Sequence, residues 1–472
     1  MKIHIRKIAP GLVVAGALLL LPARPATAQA FTNLHNLVLT NGTTPHAGLV
    51  LAGNTLYGTA EEYGGGPGGG SGSVFKLAID GSSFTNLHTF TQGADGGNPD
   101  GGVVQGGGIL YGMAIFGAAA GSGCLYAINT NGTGLTNVHI FSALSGSFPY
   151  TNADGASPIT GLVLSGSTLY GTAQDGGKYG WGVAFAVQTN GSGFTNLHSF
   201  MPADGQYPNT LILGGSTLYG TGGGGASGSG TIFRFNTDGS GFTNFHSFTP
   251  EDPSTQTNTD GAYSPGRLWL SGSTLYGTAS RGGYWGNGTI FKVDTNGAGF
   301  TVLHQFSATN GAGVNSDGAT PMAGLILWSN TLYGTAEQGG SFGEGTVFSL
   351  KTDGSSFTTL HSFTATEGVA GTNADGVNPT GGLVLSGSVL YGTASAGGTA
   401  GHGTIFSILA PPPLNIALAG TNAVLNWPTN ITGFNLESAT NLAAPSWTAV
   451  AGQYDVTNPV SGKLKFYRLM HP

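Results

Sequence analysis

"GSTLYGTAQDGGKYGWGVAFAV", residues 166–187, is the stretch that decides the fold. Its triplet Leu169-Tyr170-Gly171 returns around Tyr57, Tyr111, Tyr219, Tyr276, Tyr333 and Tyr391, at spacings of 54, 59, 49, 57, 57 and 58 residues. Four pieces recur in each period. In the third they are "GLVL" (Gly161–Leu164), "TLYGTA" (Thr168–Ala173), "VAFAV" (Val183–Val187) and "FTNLHSF" (Phe194–Phe200). Each is short, rich in β-branched or aromatic residues and bounded by Gly, Ser, Asn or Asp. These are strand signals, with no helical period between them.

The connections sort into two kinds. Ser165-Gly166-Ser167 and Asn190-Gly191 are tight hairpin turns, because Asn and Gly accept positive φ. The Gly-rich segment after "GTA" and the lead-in to "GLVL" are longer. Four antiparallel strands per ~56 residues, repeated, describe the blade of a β-propeller. The ends of the repeat array complement each other. A lone "FTNLH" at Phe31–His35 precedes every "LYG", and the last repeat, Gly382–Phe406, lacks that strand. The expected fold class is therefore all-β: a seven-bladed β-propeller over 31–409, closed by its N-terminal strand. In such a ring both faces of an inner strand are buried, so "LVL" is apolar throughout. Tyr170 then fills the gap between blades, and Gly171 permits close backbone approach.

Composition bounds the rest. Residues 1–30 read as a signal peptide: Lys2, Arg6 and Lys7, an apolar run over Gly11–Leu21, and a small-residue site at Ala26-Thr27-Ala28 or Ala28-Gln29-Ala30. The apolar run is too short to span a bilayer, so no membrane insertion is expected. Beyond that segment 10 basic side chains face 21 acidic ones, which argues against nucleic acid. The chain is glycine-rich, with 86 glycines, and the repeat shows them to be placed residues and not a disordered tract. Cys124 is the only cysteine, so burial alone must hold an exported chain together. These features predict a secreted protein, periplasmic or at the cell surface.

The unit "LYGTA…GG…G-x-G-T-I-F…DGS-x-F-T-x-L-H-x-F" resembles the secreted bacterial tandem repeat named for Gloeobacter and Verrucomicrobia, from Phe31 to about Ile408. That resemblance implies an extracellular setting and carries over no catalytic residue. After a Pro-rich linker at 410–413, residues 414–472 read as short strands anchored by Trp427 and Trp447. They resemble the small fibronectin- or immunoglobulin-like modules that end many exported bacterial proteins, which predicts a β-sandwich-like second domain.

Two repeated polar positions invite a metal. Seven of the 11 histidines occupy one place in the repeat: His35, His88, His139, His198, His246, His304 and His361. An outer strand lies three spacings of ~4.8 Å from the innermost one, too far out for these imidazoles to share an ion. Their parity with Phe places them on a blade interface, as hydrogen-bonded structural residues. Asp-Gly leads into the inner strand at Asp95, Asp154, Asp204, Asp260, Asp317 and Asp375, with a proline soon after, and Asn41-Gly42 is the seventh copy. One acid per blade is too few oxygens for Ca²⁺, so an Asx-turn is expected. Gly339–Gly343 spells G-x-S-x-G without the helix a nucleophile elbow needs. No zinc, phosphate-loop or EF-hand motif occurs, and no paired acids stand at matching positions. No cofactor, metal or catalytic residue is expected.

Variation concentrates on the face bearing the lead-in turns and Gly-rich loops. Tyr63, Phe148, Tyr150, Tyr179, Trp181, Tyr284, Trp285 and Phe342 all fall there, amid Gly, Ser and Asn. Loops on a rigid scaffold carry function. Flat rings in such surroundings suit stacking on sugars; the competing reading is that they plug gaps between blades. The expectation is a non-enzymatic binding or cell-surface scaffold whose loop face takes a polysaccharide or another surface protein. The alternatives are a lectin-like propeller and an extracellular hydrolase or lyase with an axial site.

Overall fold

The computed structural model describes residues 3–4, 31–65 and 70–411, and beyond these 415–419, 422–426, 435–439, 448–450, 455–459 and 466–470. Most of the expected signal segment, Pro412 and Pro413 of the linker, and both Trp427 and Trp447 lie outside the described residues.

Seven antiparallel sheets form the ring. Blade 3 is typical: Val163–Ser165 inside, then Thr168–Ala173, Val183–Gln188, and Thr195–Ser199 outside, paired in that order. Blade 7 has Val384–Ser386, Val389–Ala394 and Thr404–Leu409, and takes its outer strand from the other end of the repeats. Phe31–Asn36 pairs antiparallel with Thr404–Leu409, Phe31 opposite Ile408 and Asn36 opposite Thr404. The ring is closed by its N-terminal strand.

The core lies between blades. Tyr57 of blade 1 packs among Val103 and Leu110 of blade 2, and Tyr333 of blade 6 among Leu383 and Leu390 of blade 7. Tyr391 of blade 7 packs among Leu49 and Leu56 of blade 1, which completes the circle. The glycine of "LYG" has a steric reason. In blade 3 it stands opposite Phe185 on the next strand, and a Cβ at Gly171 would sit 2.6 Å from Phe185 Cζ and 2.9 Å from Leu162 Cδ2. The ring of the third strand lies flat over the bare backbone of the second. Blade 2 varies the theme, with Tyr126 over Gly112.

The threonine of "LYGTA" ties blades together. Thr172 donates to the Asn209 carbonyl (3.1 Å), Thr278 to Ala323 (2.8 Å), Thr335 to Gly381 (3.3 Å) and Thr393 to Ala47 (3.0 Å). Each is a carbonyl of the next blade's lead-in, and the last joins blade 7 to blade 1. The residue before the lead-in proline, or before Ser264 in blade 5, lies in the left-handed region in every blade: Thr44, Asn98, Ser157, Tyr207, Tyr263, Thr320 and Asn378, with φ between 51° and 59°. That conformation turns the N–H back to the preceding blade, as Asn98 N to Ser71 O (2.6 Å) and Asn378 N to Glu344 O (3.0 Å). Strain at these positions is held by a hydrogen bond across each seam.

Beyond the ring, Asn415–Ala419, Asn422–Asn426 and Asp455–Pro459 form one antiparallel sheet. Asn435–Ala439, Thr448–Ala449 and Phe466–Met470 form another, joined by the two-residue strand Ile3–His4. Leu425 in the first sheet, and Leu436 and Tyr467 in the second, are buried. No described helix is long and apolar enough to cross a membrane.

Candidate functional site

The repeated histidines and the repeated aspartates are one device. His88 Nε2 meets Asp95 at 3.0 Å, His139 meets Asp154 at 2.9 Å, His198 meets Asp204 at 3.1 Å, His304 meets Asp317 at 3.0 Å and His361 meets Asp375 at 2.9 Å. Each pair joins an outer strand to the next blade's lead-in. His246 and Asp260 are further apart, at 3.3 Å and out of hydrogen-bond alignment. At the closing seam Asn41 replaces the aspartate, 3.0 Å from His35. The imidazoles also stack on the phenylalanine of the next outer strand: His35 on Phe84 (4.0 Å between centroids), His198 on Phe242 (3.8 Å) and His361 on Phe31 (3.9 Å). Six of the seven histidines are hydrogen-bonded through Nε2, and His246 is placed by its ion-pair distance and its stack on Phe300.

The aspartates depart from the Asx-turn reading. Their carboxylates reach back to the preceding strand and accept from the residue after its phenylalanine, as Thr91 Oγ1 to Asp95 (2.5 Å), Thr249 Oγ1 to Asp260 (2.5 Å) and Thr364 to Asp375. Burial pushes the Asp375 carboxyl up. Hydrogen bonds from His361 and Thr364 outweigh it and hold the group below the ordinary carboxylate range. Asp95 and Asp154 are lowered in the same way, and Asp260, against burial, by the nearby His246 together with hydrogen bonds from Thr249. Asx-turns occur instead in the outer hairpins, as Ser82 N to Asp80 Oδ1 (2.9 Å).

The loop face carries the variable aromatics. Phe148 is 69% exposed, Tyr284 68%, Trp285 52%, Tyr150 51% and Phe342 50%. Tyr63 and Tyr179 are also exposed, the latter under the Lys178 ammonium, 4.9 Å from its centroid. Trp181 differs. It is half-buried, with Phe148 edge-on at 5.5 Å and Tyr207 at 5.6 Å. Phe148, Tyr150 and Trp181 of blade 3 thus gather with Tyr207 of the blade 4 lead-in, and blade 5 offers the edge-to-face pair Tyr284–Trp285 (4.7 Å). Between them blade 4 runs "GGGGASGSG" over Gly222–Gly230, with no side chain larger than serine. Tyr63 in blade 1 and Phe342 in blade 6 stand outside this group.

A second constellation lies where the inner strands begin. His46 Nδ1 is 3.0 Å from Glu61 Oε2 and 3.3 Å from Asp100 Oδ1, all three half-buried. His46 and Asp100 hold the same lead-in position in adjacent blades, and Glu61 follows the second strand of blade 1. Burial works against the imidazolium, but hydrogen bonds to Asp100 and Glu61 outweigh it and push its pKa up to about 10. Glu337 of blade 6 shares this environment: burial pushes its carboxyl up, and the charge of His46 partly offsets that.

The sequence profile of the Gloeobacter/Verrucomicrobia repeat matches the chain three times, over residues 23–153, 149–316 and 313–414. The protein belongs to this repeat family. No curated protein matches it. Among solved structures it is similar to puromycin hydrolase, at 11% identity and a TM-score of 0.52, covering 83% of this chain and 59% of that one. It is similar to an oligogalacturonate lyase in complex with manganese, at 11% identity and a TM-score of 0.50, covering 82% and 94%. The Niastella koreensis GH74 enzyme matches at 14% identity with a TM-score of 0.47, covering 85% and 59%. At these identities the likeness is one of fold.

In the Gloeobacter/Verrucomicrobia repeat the agreeing positions build the ring. The axial triad escapes a reading that compares like positions, because it is made of departures. The residue after the lead-in proline is Ile159, Asn209, Gly266, Met322 or Thr380 elsewhere, and the residue after "GTA" is Gln174, Ser280 or Ser395, with only Glu337 of blade 6 repeating the acid of Glu61. The usable signal is a histidine and two acids standing where neighbouring repeats are neutral.

Proposed function

We propose that this repeat protein is an exported, non-enzymatic binding propeller that takes a polysaccharide on the loop face of blades 3 to 5. One observation carries the reading: two exposed aromatic platforms flank a connection of blade 4 that is bare of large side chains. A chain of sugar rings needs apolar planes to stack on and room for its width, and flat rings beside glycine supply both. Exposed aromatics in numbers beyond scattered single residues mark interaction sites. Export rests on the pattern of residues 1–30; cleavage after it would remove the Ile3–His4 strand from the C-terminal sheets. In this reading residues 414–472, a fibronectin-like module beyond the Pro-rich linker, present the propeller at the cell surface or the periplasm.

A polysaccharide array probed with the purified protein tests the proposal, followed by affinity electrophoresis of Trp285→Ala and Phe148→Ala. The expected result is retention by at least one polymer, lost in both variants at unchanged melting temperature. Absence of binding to any glycan, with capture of a protein partner by the same face, would replace the polysaccharide with a surface protein. A second reading, a hydrolase or lyase with an axial site, is favoured by the convergence of His46, Glu61 and Asp100. Chain cleavage of the bound polymer, abolished by Glu61→Gln, would decide for it.

A further inference from the structure

We propose that the axial mouth between blades 1 and 2 binds one divalent transition-metal ion through His46, Glu61 and Asp100. The inference does not depend on the polysaccharide reading.

The spacing fits. One atom from each residue, the imidazole nitrogen and a carboxylate oxygen from each acid, lies within 4.8 Å of the other two. Ligands at ~2.0–2.2 Å from a tetrahedral ion stand roughly 3.3–3.6 Å from each other. The His46–Glu61 and His46–Asp100 separations of 3.0 and 3.3 Å are already close to that. The backbone holds all three ligands in place. The N–H groups of His46 (3.0 Å) and Glu61 (3.2 Å) both donate to the Thr44 carbonyl, which sits in the strained lead-in turn. Asp100 N is held likewise by Asn98 O at 3.1 Å.

The polar balance also asks for a cation. One Nδ1–H faces two carboxylates, and among the described residues neither Glu61 nor Asp100 accepts another side-chain hydrogen bond or pairs with a lysine or arginine. The seam pairs are built differently. Their aspartates accept from a histidine and, in most blades, from a Ser or Thr hydroxyl and a backbone N–H, as Asp375 does. A carboxylate acts only as an acceptor, so two of them around one donor leave lone pairs that a metal ion would use.

An independent observation lies on the strand that leads into Glu61, Thr55–Ala60. Thr59 is 2% exposed and its hydroxyl has no partner. Its counterparts Thr278, Thr335 and Thr393 each donate to the next blade's lead-in, at the position that Gly101 holds beside Asp100. The register of the repeat therefore aims Thr59 at the Asp100 segment, where it finds no acceptor. A buried hydroxyl without a partner costs roughly 1–3 kcal/mol. A water on an ion at this mouth would satisfy it.

One imidazole and two carboxylates, with positions left open, suit Zn²⁺ or Mn²⁺. Chelator-treated full-length protein, titrated calorimetrically with each ion, should bind one ion per chain. Asp100→Asn and Glu61→Gln should each weaken that binding by more than the roughly 10–100-fold that loss of an outer partner costs. Both are near-isosteric changes that leave His46 one carboxylate partner, so the metal-free melting temperature should fall only modestly and ion affinity is read on folded protein. Asp375→Asn, in the outer seam, should leave ion affinity unchanged. The proposal is overturned if neither ion binds stoichiometrically, or if Asp100→Asn binds as tightly as the parent.

Discussion

The seam between blades 6 and 7 and the seam between blades 1 and 2 are built from the same positions of the repeat. At the first every tie is made. His361 bonds Asp375 at 2.9 Å and lies flat on Phe31 at 3.9 Å, and Thr335 reaches the Gly381 carbonyl at 3.3 Å. At the second His88 keeps its bond to Asp95 (3.0 Å), but Leu135 stands where Phe31 would and leaves the imidazole unstacked. Thr59 has no acceptor, and His46, Glu61 and Asp100 gather at the mouth. A ring of seven similar seams has ties to spare, so one seam can lose some of them without opening the ring. The trade is local, because neighbouring seams share only the blade between them.

The largest loss is expected at the complete seam. Deleting Phe31–Leu37 removes the outer strand of blade 7, the stack on His361 and the fully buried Leu37. Loss of Leu37 alone is a core truncation of about 2–5 kcal/mol. Calorimetry should find a collapse of the melting transition; an unchanged curve would mean that the ring does not depend on closure.

Acid should act on the seams together. Asp95, Asp154, Asp260 and Asp375 have folded pKa values held below their unfolded ones. Their stabilisation is therefore complete above the unfolded value, about 3.9, and is lost as pH falls through the folded values. Melting temperature should fall steeply below about pH 4, and less steeply in Asp375→Asn. A parallel decline in the two proteins would remove Asp375 from the account.

Gly277→Ala tests packing within a blade. Its Cβ would lie 2.5 Å from Phe291 Cζ and 2.8 Å from Leu268 Cδ2, an overpacking of about 1–3 kcal/mol. Chemical denaturation should register that loss, and a neutral result would mean that Phe291 has room to move. His361→Ala against His88→Ala isolates the stack. Both lose an aspartate bond and an edge contact with the following phenylalanine, but only the first also loses a stacked ring, Phe31, worth about 0.5–1.5 kcal/mol. Equal losses would show that stacking adds nothing. The smallest effect is expected from Asn41→Asp, which supplies the seventh His–Asp pair beside His35 and should add at most about 1 kcal/mol.

The ring was legible in the sequence because each strand is written seven times and errors in one copy are corrected by the others. The blade order, the closure at Phe31–Asn36 and the role of Gly171 all follow from that redundancy. What stayed hidden was pairing between repeats. The histidine of "FTNLH" and the aspartate of the lead-in look like separate motifs along the chain. Only the ring places His361 beside Asp375, and Asp375 beside the hydroxyl of Thr364. The loop aromatics could be located but not sorted, since exposure depends on neighbours from other loops. Trp181 is covered by Phe148 and Tyr207, while Trp285 stands free of such a cover apart from Tyr284. A search for repeated acids finds only Glu61, through its counterpart Glu337, and misses His46 and Asp100, which stand where the other repeats are neutral.

Two variants measured side by side test the division of labour most directly: Phe148→Ala with Trp285→Ala on the rim, and His361→Ala in the seam, each followed by thermal melting and by retention on immobilised polysaccharide. Exposed positions away from the core should shift stability by no more than about 0.5 kcal/mol. The rim variant should therefore melt with the parent and lose retention, and the seam variant should melt lower and, below its transition, be retained. A rim variant that melts well below the parent, or a seam variant that alone loses retention, would contradict the account.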